Sequence, residues 1–204
     1  NSFAGGHPND SLIGELPDRS TRVQIDFTDG SRLFFNDQRK FGWMKLMPTD
    51  EIENLPFMQK VGPEPLDKKT EAGDFIKRIR RRQNSMIKPA FLDQSVIAGV
   101  GNIYADEICF AMHMHPETMI NHLRKKDFEE LIYHIRRILS GAIRAGGTTI
   151  RSYTSQLGVD GRFQLKLKVH AKKGEACPVC GTTIKKIVVA TRGTCFCPTC
   201  QRRR

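Results

Sequence analysis

The stretch CPVCGTTIKKIVVATRGTCFCPTCQRRR, residues 177–204, places four cysteines at Cys177, Cys180, Cys197 and Cys200. Two C-x2-C pairs with sixteen residues between them have the spacing of a tetrahedral zinc site, because each pair forms a tight knuckle that aims two thiolates at one ion. Cys195 lies outside the repeated pattern of CPVC and CPTC and is assigned to packing. Between the knuckles, residues 182–190 are rich in β-branched side chains and predict a strand, with Arg192-Gly193 as the turn that folds it back into a hairpin. The expected module is a zinc ribbon around one structural Zn2+. Four thiolates leave no open coordination position, so the ion holds the module together and takes no part in chemistry. The ribbon would present Arg192 at its tip, Lys185 and Lys186 on its first strand, and Arg202, Arg203 and Arg204 after the second knuckle.

The charge of the chain concentrates around this module. Of the net +11, residues 1–60 carry 7 basic and 9 acidic groups, residues 61–150 carry 14 and 11, and residues 151–204 carry 12 and 2. A surplus gathered in one region points to a polyanionic partner, with nucleic acid first among them, whereas a merely solubilising surplus would be spread evenly. With 204 residues and 39% hydrophobic side chains, the chain can build one or two cores beside the ribbon. No run approaches the roughly 18 to 20 apolar residues of a membrane span, and nothing resembles a signal peptide, so a cytosolic or nuclear protein is expected. Thiolates committed to metal, with Cys109 and Cys195 as buried thiols, fit a reducing compartment.

Outward from the ribbon, residues 22–27 and 32–35 predict paired strands around an Asp29-Gly30 two-residue turn, and residues 41–47 a third strand. Arg39, Lys40 and Phe41 fall at the loop between them. A phenylalanine there either tucks into the core at a strand end or, beside an arginine, wedges into a base stack. Residues 55–66, with three prolines and a glycine, read as a hinge. Helices follow at 74–82, with Phe75, Ile76 and Ile79 on one side, and from Pro89 to residue 93. Gly99 and Gly101 break an apolar run before Asn102, which is placed as the cap of a helix to about residue 112; the cap either starts a core helix or leaves backbone N–H groups to hold a phosphate. Residues 127–145 keep a helical period in Phe128, Leu131, Ile132, Ile135, Ile138, Leu139, Ala142 and Ile143, ended by Gly146-Gly147. His113, His115, His122 and His134 form no metal pattern. Residues 148–161 read as a long loop of the functional kind, and 163–170 as a strand leading into the ribbon.

LDQSVIAGVGNIYADEICFAMHMHP resembles the helix-two-turn-helix of the formamidopyrimidine-DNA glycosylase and endonuclease VIII family, and TRGTCFCPTCQ resembles its C-terminal zinc finger. NDQRKFG and GGTTIRSY are also similar, so the likeness runs over almost the whole chain and favours the formamidopyrimidine branch. It implies an α+β fold in three parts: residues 1–60 as the later part of an N-terminal β-sandwich, 61–150 as the helix-two-turn-helix domain, and 151–204 as lesion-recognition loop and zinc ribbon. The implied function is a bifunctional glycosylase and abasic-site lyase of base excision repair. Such an enzyme removes 8-oxoguanine and formamidopyrimidines from double-stranded DNA, as a monomer, in the bacterial cytoplasm at the nucleoid.

By the same resemblance, Asn102 and Arg192 hold phosphate beside the lesion, and Arg192 donates a proton in the last elimination. Arg39 pairs with the base orphaned when the damaged nucleotide swings out, and Phe41 wedges beside it. Ser152, Tyr153, Thr154, Ser155 and Gln156 close over the extruded base, since chemistry on a base requires taking it out of the stack. Family enzymes begin with Pro-Glu, whose proline amine is the nucleophile, while this chain begins Asn1-Ser2 and its Pro8 and Pro17 are internal. The expectation is that the chain as it stands lacks the nucleophile and performs neither base excision nor strand cleavage. The alternative class is a zinc-ribbon module without chemistry that binds damaged DNA or structured RNA.

Overall fold

A computed structural model of the protein describes residues 16–38, 40–148 and 162–203. The described residues fall into two compact units, residues 16–52 in the first and residues 53–148 with 162–203 in the second. The mixture of helices and small sheets is α+β, as the sequence predicts. Arg39, Ser152, Tyr153, Thr154, Ser155 and Gln156 lie outside the described residues.

The first unit carries an antiparallel hairpin, β1 (Thr21–Asp26) and β2 (Arg32–Asn36), paired from Asp26 with Arg32 to Thr21 with Asn36. Its loop is wider than the expected two-residue turn. Phe27 and Ser31 still pair through the Phe27 N–H at 2.9 Å, Gly30 N–H returns to Phe27 O at 3.0 Å, and Gly30 takes φ +81. That is a three-residue loop with a left-handed residue at its end, a position glycine fills without a Cβ clash. The third strand expected at 41–47 does not form among the described residues. A strand is stabilised by its ladder partner, and the amides of Lys40 and Gly42 go instead to the Asp37 carboxylate, which curls the chain.

The second unit is built on α2 (Ala72–Arg80), α3 (Ile87–Leu92), α4 (Asn102–Ala111) and α5 (Lys125–Arg144), preceded by the single turn α1 (Pro56–Lys60). Phe75 and Ile79 of α2, Ile87 and Phe91 of α3, Ile108 of α4, and Phe128, Leu131, Ile135 and Leu139 of α5 share one core. Each such side chain contributes about 1.5–3 kcal/mol when fully buried. Of the α5 periodicity only Ile143, 68% exposed, fails to pack inward. The helix starts where Asp127 accepts the Arg124 N–H at 2.8 Å. It stops in a Schellman pair, Gly147 N–H to Ala142 O at 2.8 Å and Gly146 N–H to Ile143 O at 3.0 Å, both glycines at positive φ.

Between α3 and α4 the chain makes two turns held by polar groups. Asp93 accepts the Ser95 N–H, and Gln94 accepts the Gly99 N–H at 2.9 Å while donating to Val100 O at 2.9 Å. Gly62 lies against this loop, its N–H on Gln94 O at 2.7 Å; a Cβ there would come within 2.8 Å of the Val96 backbone. α4 itself begins one residue away from expectation. Gly101 is the N-cap and Asn102 the first helical residue, so the Asn102 side chain caps nothing and is available to reach elsewhere.

The remainder of the unit is the ribbon, β3 (Lys185–Val189) antiparallel to β4 (Arg192–Phe196). The turn is Ala190-Thr191, both at positive φ (46 and 67), and Arg192 is the first residue of β4, facing Val189. The expected Arg192-Gly193 turn is therefore displaced by two residues. Two knuckles closing on one ion fix the register of the strands between them, and that constraint outweighs the roughly 1–2 kcal/mol of a left-handed non-glycine residue. The strand expected at 163–170 is also absent. Residues Phe163–Lys166 form a 3-10 turn, and the N–H groups of Lys168, Val169 and His170 all go to the Glu107 carboxylate at 2.8, 3.0 and 2.9 Å, so no ladder can claim them. No described helix is long and apolar enough to cross a membrane.

Candidate nucleic-acid interface

The four knuckle sulfurs lie within 4.8 Å of one another, with Cys177 to Cys200 at 3.8 Å and Cys180 to Cys197 at 3.4 Å. Zinc–sulfur bonds of about 2.3 Å arranged as a tetrahedron separate the sulfurs by about 3.8 Å, so the donor set fits one structural zinc. The first knuckle turns on Gly181 at φ +74, whose N–H meets Cys177 O at 2.9 Å. In the second, Gln201 is buried and clamps both ways: its Oε1 accepts the Cys197 N–H at 2.8 Å and its Nε2 donates to Met114 O at 3.1 Å. Hydrogen bonds from Thr182 pull the Cys180 thiol down to about 6, while burial pushes Cys197 and Cys200 up. A bound cation supplies the charge that lets all four carry thiolates. Cys195 is buried with Phe110, Val169, Ile184, Cys177 and Cys197, in the packing role expected of it, and Cys109 is likewise a buried thiol pushed up by desolvation.

The ribbon is fastened to the helices by a buried polar network. Lys88, fully buried on α3, donates to Asp106 Oδ1 at 2.6 Å, Thr194 Oγ1 at 2.7 Å and Gly193 O at 3.4 Å. The other Asp106 oxygen meets His170 Nδ1 at 2.7 Å and the Cys195 N–H at 3.3 Å. Asn102 donates from Nδ2 to Gly193 O at 3.1 Å, and its Oδ1 is buried without a hydrogen-bond partner. The fold thereby brings Asn102, at the N-terminus of α4, against the residue that follows Arg192. Arg192 itself is exposed, as are Lys185 and Lys186 on the neighbouring strand.

Arg192 is thus an exposed residue one position from the carbonyl that the first residue of a ten-residue helix grips. In the first unit, Phe41 exposes 76% of its surface and so is not tucked into a core of the described residues. Of the four histidines set aside, His115 is buried edge-on to Phe196 at 4.5 Å. Lys88, Asp106, Glu107, His170 and Thr194 were not among the sequence candidates. The usable signal was the pair Asp106-Glu107 inside NIYADEICFA, since two acids in a helix buried on most sides require partners.

Residues 61–154 match the family model described as formamidopyrimidine-DNA glycosylase H2TH domain, and residues 174–203 match the zinc finger found in FPG and IleRS. The formamidopyrimidine-DNA glycosylase of Ligilactobacillus salivarius is 46% identical over 184 residues, covering 90% of this chain and 66% of that protein. That of Bacillus licheniformis is 43% identical over 200 residues, covering 98% and 70%. The chain thus spans about two thirds of the length of these relatives. Among solved structures, the complex of Lactococcus lactis Fpg with abasic-site DNA superposes with a TM-score of 0.82 at 38% identity, covering 94% of this chain and 69% of that one. Thermus thermophilus MutM (Fpg) superposes at 0.82 and 34%, covering 92% and 71%.

Proposed function

The chain belongs to the formamidopyrimidine-DNA glycosylase family, and from that membership we propose that it serves base excision repair by gripping double-stranded DNA at oxidised purines and abasic sites. The reaction class proposed for the whole protein is that of a bifunctional glycosylase and abasic-site lyase, to which the residues of this chain contribute the grip on DNA. It is a bacterial function carried out as a monomer, in keeping with the bacterial sources of the relatives.

The observation that carries this reading is the 3.1 Å hydrogen bond from Asn102 Nδ2 to Gly193 O, which sets the start of α4 beside Arg192. One DNA phosphate between them would take the second Asn102 proton, the guanidinium and the N-terminal N–H groups of the helix together. Arg192, so placed on the phosphate next to the sugar, is the group to give up a proton as the strand is eliminated. Phe41 and Arg39 fill the gap left by an extruded nucleotide, and residues 152–156 cover it. The zinc keeps the ribbon folded and Arg192 at its place.

The testing measurement is titration of the protein with three duplexes of one sequence: undamaged, carrying 8-oxoguanine, and carrying a tetrahydrofuran abasic analogue. A structured RNA hairpin is the fourth probe. Preference for the damaged duplexes over both others is expected. Equal affinity for the RNA hairpin and the abasic duplex would replace this reading with that of a general nucleic-acid module.

A further inference from the structure

Lys88 is an ammonium with three protons and three acceptors, two of them on the ribbon. The Thr194 hydroxyl passes the constraint on: it accepts from Lys88 at 2.7 Å and donates its own proton to Arg192 O at 3.0 Å. Gly193 O is shared between Lys88 and Asn102. The backbone carbonyls of Arg192 and Gly193 are therefore both fixed from the helical side. Asp106 neutralises the ammonium and is itself held by His170 and the Cys195 N–H, so both of its oxygens are satisfied.

A buried ion pair adds little net stability compared with an apolar pair of the same volume, because desolvation offsets the attraction. Its contribution lies in geometry. We propose that Lys88, acting through the Thr194 hydroxyl and the Gly193 carbonyl, is the positioning residue that sets Arg192 against Asn102 so that both close on a single phosphate. This rests on the reading above that Arg192 and Asn102 hold the DNA backbone. Without the relay, the first residues of β4 keep their ladder to β3 but lose their fixed relation to α4, and the two phosphate groups act separately.

The test uses the full zinc-loaded chain and the tetrahydrofuran duplex, together with copies in which one phosphate at a time is replaced by a neutral methylphosphonate. Wild type is expected to lose about tenfold in affinity at one position, the equivalent of one charge-assisted hydrogen-bonded contact. Thr194→Val removes the relay at constant volume, and Thr194→Ser keeps the hydroxyl. Lys88→Met with Asp106→Leu removes both charges, so no lone buried ion is left. The Val and double variants, shown to retain zinc and a cooperative melt, are expected to bind the all-phosphate duplex about tenfold more weakly and to lose nothing further at that methylphosphonate. Thr194→Ser is expected to behave as wild type. If the Val variant keeps the whole methylphosphonate penalty, Lys88 is merely structural and the proposal is overturned; should the double variant not fold, the Val and Ser pair decides it alone. A wild-type protein indifferent to every methylphosphonate would instead overturn the phosphate-holding reading, and the proposal with it.

Discussion

Asn102 donates its side-chain amide to the carbonyl oxygen of Gly193, 3.1 Å away across 91 positions of sequence. The bond ties the first residue of α4 to the second residue of β4, so the proposed phosphate site would draw on both the helices and the ribbon.

From this follow different signatures for its two members. Arg192→Ala should weaken binding to all duplexes about equally and reduce the salt slope by roughly one unit, because one charged contact is lost. Asn102→Ala should weaken binding about tenfold with the slope unchanged, since it removes neutral hydrogen bonds. Affinities at several salt concentrations separate the two. An Arg192 variant with an altered lesion preference and the wild-type slope would contradict the assignment.

Zinc removal should act on the ribbon and spare the helices. Cys177, Cys197 and Cys200 pack with Phe110, Val169 and Ile184, whereas α2, α3 and α5 share their own core. A structural zinc site is worth on the order of 10 kcal/mol or more at neutral pH, so chelation should unfold residues around the knuckles and abolish DNA binding while helical circular dichroism persists. DNA affinity undiminished after complete removal of the metal would mean the ribbon does not touch DNA.

What could be read from sequence was what depends on near neighbours. The knuckles rest on spacing, and α5 on a period that only Ile143 breaks. Some misplacements are local, as where Asp37 takes the amides of Lys40 and Gly42 and no third strand forms, and others come from partners far along the chain. Residues 163–170 alternate as a strand should, yet their amides are taken by Glu107, 61 to 63 positions away. The ribbon turn moved to Ala190-Thr191 because the two knuckles set the register. Nothing in the sequence around Lys88 announces Thr194, 106 positions on. Periodicity reports which face of an element is buried, and is silent on which polar group will meet it there.

Phe41 offers a separation of stability from function. With 76% of its surface exposed, Phe41→Ala should change the melting temperature little, in the manner of ordinary surface substitutions within about 0.5 kcal/mol. The same variant should lose the distortion of a lesion duplex that a fluorescent base opposite the lesion reports, and Arg39→Ala should alter discrimination for that base. Identical fluorescence from wild type and both variants would remove the loop from the DNA interface.

Gly62 and Gly73 make a paired test of packing. A methyl at Gly62 would press within 2.8–2.9 Å of the backbone from Ser95 to Ile97, while one at Gly73, inside α2, meets nothing within 4 Å. Gly62→Ala should cost about 1–3 kcal/mol, since backbone of the two-turn loop must move. Gly73→Ala should stabilise by up to about 1 kcal/mol through helix propensity. Urea midpoints give both signs, and equal midpoints for the two variants would contradict the close approach.

His115 should give the junction of helices and ribbon a sensitivity to acid. Its ring is buried against Phe196, and its Nδ1 accepts the Glu117 N–H at 3.2 Å, which requires the neutral imidazole. Burial first, and the Arg203 guanidinium second, hold the ring below its ordinary value of 6.5; the Glu117 carboxylate opposes them and is itself paired with Arg203. A histidine whose folded value is depressed contributes stability that is present above its unfolded value and lost as pH falls through the folded one. Wild type should therefore lose stability below about pH 6.5, the charged ring being unable to keep either its burial or its Nδ1 acceptor role. The zinc thiolates also take up protons in acid, so the measurement is a difference: urea midpoints at pH 7.5 and 5.5 for wild type and for His115→Gln, which retains the same four cysteines. The variant should show the smaller acid loss. If both fall by the same amount, His115 does not couple to folding.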